Sequence, residues 1–251
     1  MSDASPEFPV RHPSTLFVSV LGAFEHVLLQ KFLLTQSTLL RTGNGGLHEE
    51  LALGFKGDRF DGWYGIIANR TQPYRADQGN NGLSRTSSDV SDASKEVLEA
   101  RKPKEVQDCA KGFNPVSPPG PWWKAPPVVN DIDIVDLAVT RSNRPCLNLL
   151  DVVLVLNSIS EHAPHYVVTR ENCWWYARCA AIILEMLALE SLPDIDDFVT
   201  NFSRRAPLPQ LPLGYDALKI INNERVCRDI RTILEIFNQK VCDPYYTMIQ
   251  I

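Results

Sequence analysis

The sequence predicts an α+β domain: a small antiparallel sheet packed on several helices. Three observations carry that prediction. Short runs rich in β-branched and aromatic residues at 15–21 (TLFVSVL), 61–68 (DGWYGIIA) and 132–139 (IDIVDLAV) have the character of strands. Longer apolar runs at 147–160 (LNLLDVVLVLNSIS) and 173–190 suit buried helices. Residues 224–241 place Val226, Ile230, Ile233, Leu234, Phe237 and Val241 at helical spacing, the apolar stripe of an amphipathic helix.

Taken in order, residues 1–13 are acidic and Pro-containing and are expected to be disordered. They lack a basic start followed by an apolar core, which argues against a secretory or mitochondrial leader. The first part of the domain spans 14–68. Its strand at 15–21 leads into a helix over 24–40, stopped by the turn chemistry of Thr42-Gly-Asn-Gly-Gly46, and the strand at 61–68 follows. The stretch 15–40 is apolar but is interrupted by Glu25, His26, Gln30 and Lys31, so it is expected to be core and not a membrane span.

Residues 69–127 form a long Pro/Ser/Gly-rich, partly disordered insertion, with helical character only at 93–101. Its end, 114–127 (NPVSPPGPWWKAPP), holds six prolines and favours extended geometry. A structural connector is the preferred reading, a ligand for an SH3- or WW-type module the alternative. The second part of the domain, 128–251, carries the strand at 132–139, the helix at 147–160 closed by Pro164, and a short strand at 166–169. The helix at 173–190 is closed by Pro193, a Pro-rich turn follows at 208–212, and the helix at 224–241 comes last. Asp194, Asp196 and Asp197 lack calcium-loop spacing and suit the first turn of a helix instead. Arg204 and Arg205 are taken as a solvated pair.

Charge and cysteine usage narrow the function classes. A formal net charge of −5 without a Lys/Arg block argues against nucleic-acid binding through a basic surface. The six cysteines show no CxxC pair, so free thiols in a reducing, cytoplasmic setting are expected, without a metal site or cofactor. Phosphate-cradling loops, zinc-protease motifs and nucleophile elbows are absent from the sequence. A protein partner is the remaining expectation, its identity and the oligomeric state left open.

One segment stands apart, His165-Tyr-Val-Val-Thr-Arg-Glu-Asn-Cys-Trp-Trp-Tyr-Ala177. Asn172 is a favourable N-cap, and Cys173 then falls in the first turn of a buried helix, where free N–H groups and the helix dipole favour a thiolate. A nucleophilic cysteine also needs a histidine and a group to orient it. His48, which follows the Gly-rich turn, is the best of the five histidines. His165 begins the strand whose far end delivers Cys173, His162 lies in a helix-ending turn and faces solvent or caps it, His26 sits on an apolar face, and His12 is exposed. In the bland reading Cys173 is a buried small hydrophobe, Trp174, Trp175 and Tyr176 are core anchors, and Asn172 is first a cap and second an oxyanion or orienting group.

The pattern Tyr166-x-Val168-x-x-x-Asn172-Cys173-x-x-Tyr176 resembles the Asn-Cys helix segment of circularly permuted papain-like proteins, among them the lecithin:retinol acyltransferase-like and PPPDE groups. The wording Asn-Cys-Trp-Trp-Tyr-Ala is similar to uncharacterised proteins of mushroom-forming fungi. The resemblance covers residues 132–189 and, loosely, 61–68. It implies a permuted papain-like scaffold with Cys173 at the nucleophile position. The family's histidine opens an upstream strand, and Gly62 occupies the matching place here. The expectation is therefore an interaction protein that has lost its catalytic histidine. The alternative is a cysteine-dependent hydrolase or acyltransferase, with Cys173 as nucleophile, His48 as base and Asn172 beside them.

Overall fold

The computed structural model describes residues 32–42, 48–57, 63–71, 107–113, 134–137, 147–165, 172–189, 191–207 and 222–242. These form strands β1 (Phe32–Thr42), β2 (His48–Gly57), β3 (Trp63–Thr71), β4 (Gln107–Phe113) and β5 (Ile134–Leu137), then helices α1 (Leu149–His162), α2 (Cys173–Leu187), α3 (Ile195–Arg205) and α4 (Asn223–Val241). The strands make one five-stranded sheet of order β4-β3-β2-β1-β5. Every neighbouring pair is antiparallel. The α+β class is as the sequence predicts.

Alternation in β2 explains how the sheet is covered. Leu51, Leu53 and Phe55 are fully buried in the main core, whereas Ala52 belongs to a small cluster with Leu40 and Ile67 on the opposite face. β1 needs a correction to keep step. Leu34 and Leu39 both enter the main core although five residues apart, a spacing that puts them on opposite faces of a regular strand. The irregularity between Leu34 and Gln36 adds the missing residue and restores the phase, setting Leu34 opposite Phe55 and Leu39 opposite Leu51.

α2 lies between the sheet and the other helices, packing on β1, β2 and β3 on one side and on α1, α3 and α4 on the other. That position is why its residues from Cys173 to Met186 are buried all round. α1 is nearly as apolar. It starts in a capping box, with Asp151 N–H donating to Asn148 Oδ1 and Asn148 N–H donating to Asp151 Oδ2, both at 3.0 Å. α3 and α4 are amphipathic and bury one face each, Val199 and Phe202 in α3 and Val226, Ile230, Ile233 and Phe237 among others in α4. Asp194 caps α3, and Asp196 and Asp197 occupy its first turn, where acids favour the helix dipole.

Three findings differ from the sequence reading. The helix expected over 24–40 is, from residue 32 onward, strand β1: pairing with β2 on one edge and β5 on the other satisfies its backbone, and that tertiary gain overrides the helical preference of its leucines. β2 was not anticipated as a strand. Within the 69–127 stretch, Asn69–Thr71 continue β3 and residues 107–113 form edge strand β4. Residues 1–31, the proline-rich 114–127, 166–171 and 208–221 lie outside the described residues. With them go the expected strands at 15–21 and 166–169, the helical stretch at 93–101, His12, His26 and Gly62. Among the described residues, no helix is long and apolar enough to cross a membrane.

Candidate functional site: a buried thiol with an imidazole partner

The start of α2 is built as the sequence predicts. Asn172 is extended (φ −99°, ψ −172°), and its Oδ1 accepts from Trp175 N–H at 3.0 Å while its carbonyl accepts from Tyr176 N–H at 3.0 Å. The N–H groups of Cys173 and Trp174, the first two of the helix, have no intrahelical acceptor available to them. Cys173 is buried at 6% exposure.

Side chains behind Cys173 hold this end of the helix rigidly. Trp175 and Tyr176 are fully buried, and the Arg70 guanidinium from β3 lies over both rings, 5.2 and 5.1 Å from their centres. Trp175 Nε1 donates to Asp229 Oδ2 at 3.0 Å. The His162 ring stacks on Trp175 at 6.2 Å, with Nε2 3.4 Å from Asp229 Oδ1. His162 therefore joins α1, α2 and α4, in place of the solvent-facing or capping role expected of it. Arg178, one and a half turns into α2, forms a bidentate pair with Glu49 of β2: Nε to Oε2 at 2.7 Å and Nη2 to Oε1 at 2.8 Å. Its Nη1 donates to the Ala206 carbonyl, the C-cap of α3, at 2.7 Å.

His48, the first residue of β2, lies near enough to Cys173 for the two side chains to interact electrostatically. Its Nε2 also lies 3.3 Å from Oε1 of Glu50, two residues along the strand and hence on the same face. Glu50 Oε1 in turn accepts from Asn69 Nδ2 of β3 at 2.8 Å. His48, Glu50 and Asn69 thus form one connected polar chain across β2 and β3, with the Cys173 thiol of α2 near its imidazole end. Burial by itself disfavours a charged imidazole, but the interactions with Cys173 and Glu50 outweigh it, pushing the His48 pKa from 6.5 up to about 10. Burial likewise opposes ionisation of Glu50, yet the bonds from His48 and Asn69 hold its pKa below the usual 4.5.

These shifts make stability depend on pH. His48, with a raised folded-state pKa, contributes stability that is complete below about 6.5 and is lost as pH climbs through about 10. Glu50, with a lowered one, contributes stability that is complete above 4.5 and is lost as acid protonates it. Denaturant unfolding is expected to report greatest stability from this pair between those two ordinary values, declining on either side. A His48→Asn, Glu50→Gln double variant should flatten that part of the profile, and an unchanged profile would contradict the pairing.

The structure brings together His48, Cys173 and Asn172, the three residues singled out from sequence. His165 is exposed and takes no described part in the site. Gly62 itself lies outside the described residues. β3 begins with Trp63 opposite Lys56, whereas Arg70 near its other end stacks on the start of α2. Because β2 and β3 are antiparallel, His48 at the start of β2 stands at the margin where β3 ends. Glu50 and Asn69 were missed. The alternation Leu51-Ala-Leu53-Gly-Phe55 signals a strand that would have put His48 and Glu50 on one face.

Elsewhere, Arg205 is not simply solvated: it pairs bidentately with Glu185 at 2.8 Å for both contacts. Among the described residues, Cys173, Cys179, Cys227 and Cys242 are free thiols, and no group of three His, Cys, Asp or Glu is placed to hold a metal ion. The architecture is an α+β domain with an imidazole–carboxylate pair near the thiol that starts α2. No protein-family model, curated protein or solved structure matches the chain.

Proposed function

We propose that this protein is a cysteine-dependent hydrolase or acyltransferase in which Cys173 is the nucleophile and His48 its acid–base partner. The observation that carries the reading is the proximity of His48, itself 3.3 Å from Glu50, to the Cys173 thiol at the start of α2. Glu50 orients the imidazole and balances its charge, and Asn69 fixes Glu50. The interaction protein inferred from Gly62 is the second reading, and the His48 imidazole beside the thiol is what favours the enzyme over it. The resemblance around Asn172-Cys173 to permuted papain-like proteins fits the same chemistry.

In the reaction, the Cys173 thiolate attacks the carbonyl carbon of an ester, thioester or amide, forming a C–S bond and an oxyanion. The N–H groups of Cys173 and Trp174, which lack an intrahelical acceptor, serve as the oxyanion donors in this reading. Collapse breaks the bond to the leaving group, which takes its proton from the His48 imidazolium, and a thioester on Cys173 remains. Water or another acceptor then gives a proton back to His48 as it attacks the thioester carbonyl and releases the thiolate.

Mixing the protein with an activated acyl ester near neutral pH tests this. Intact mass and peptide mapping are expected to find one acyl group at Cys173, removable by hydroxylamine. Acylation spread evenly over Cys173 and the exposed Cys242, or absent, would overturn the proposal.

A further inference from the structure

The strand that carries His48 and the helix that carries Cys173 are joined by the buried fork of Glu49 and Arg178. Glu49 is adjacent in sequence to His48, and Arg178 follows Cys173 by one and a half helical turns. Their side chains are 0% and 4% exposed, and two bonds of 2.7 and 2.8 Å run between them. A bidentate guanidinium–carboxylate pair fixes distance and angle together, which apolar packing does not. The third Arg178 bond, to the Ala206 carbonyl, keeps the guanidinium from following the strand alone.

Resting on the reading of Cys173 and His48 as a reactive dyad, we propose that Glu49 and Arg178 are its positioning residues, setting the register of α2 against β2 that holds thiol and imidazole in contact. Neither touches the reacting atoms. Catalytic geometry tolerates displacements of only about 1 Å, and dyad contact requires hydrogen-bond reach. Loss of the fork leaves α2 free to settle by that amount.

The experiment measures alkylation of Cys173 by iodoacetamide in the full chain, across pH, with peptide mapping to separate the other thiols. The key variant is Glu49→Leu with Arg178→Met, which replaces a buried ion pair with apolar groups of similar size, a change that folds commonly tolerate. Circular dichroism is expected to stay native while Cys173 alkylation near neutral pH falls about tenfold or more, its pH–rate profile coinciding with that of His48→Asn. Native-like alkylation and profile in that variant would overturn the positioning role. Should it fail to fold, Arg178→Lys, which keeps the charge but not the fork, decides: an about tenfold fall is expected, and an unchanged profile overturns the proposal. If the unmodified protein itself shows no dependence on His48, the dyad reading has failed instead, and the two failures are distinguished.

Discussion

Replacing Arg178 alone with methionine is expected to lower the unfolding free energy by about 3–5 kcal/mol. The size follows from what is left behind. Glu49 is fully buried, and the variant removes the guanidinium that gives it two bonds at 2.7 and 2.8 Å. Taking two charge-assisted bonds away from a buried carboxylate costs several kcal/mol, whereas removing both residues of the pair costs less. The Glu49→Leu, Arg178→Met double variant should therefore recover most of the loss. Recovery stays incomplete because the Ala206 carbonyl loses its donor in both. Urea unfolding of the two single variants and the double variant closes the cycle. Additive losses, with no recovery in the double variant, would contradict a buried pair between these residues.

His48→Asn is expected to slow acylation of Cys173 by about 10²–10⁴-fold, the usual contribution of a positioned acid–base group. Asparagine keeps a polar side chain of similar reach but cannot carry the proton. With its pKa pushed up to about 10, His48 carries a proton near neutral pH and so serves as proton source for the leaving group. The rate should accordingly decline as pH rises through that value. Stopped-flow acylation with the activated ester, compared between the native chain and the variant, reads the effect directly. Equal rates would remove His48 from the chemistry, whatever its contact with the thiol. His165→Asn is the control: exposed, eight residues before Cys173, it should leave the rate unchanged.

Local signals were well marked in the sequence, and for a common reason. The apolar runs around Leu154 and Ile182 are helices because each is long, apolar and entered through an asparagine cap, at Asn148 and Asn172. The stripe through Val226, Ile230 and Phe237 is buried as its spacing requires. β1 escaped because its leucines satisfy a helical reading equally well, and only partner strands on both edges, plus the irregularity after Leu34, decide the matter. At the site, Asn172 and Cys173 were legible from capping alone. Glu50 had a local signal, the alternation in β2 that sets it beside His48, but Asn69 did not, because its role depends on β2 and β3 lying side by side.

What the sequence by itself determined is the class of the domain, the apolar and amphipathic helices of its second half, the cap at Asn172, and the placement of Cys173 in the first turn of a buried helix. These depend on residues within a few positions of one another, through periodicity and backbone hydrogen bonding. Only the tertiary structure decided that His48 meets that thiol, that Glu50 and Asn69 stand behind the imidazole, and that Glu49 clasps Arg178 across 129 residues of chain. Those contacts follow from strand order, antiparallel register and the packing of α2 on β2, which are set by long-range burial and carry no local signature.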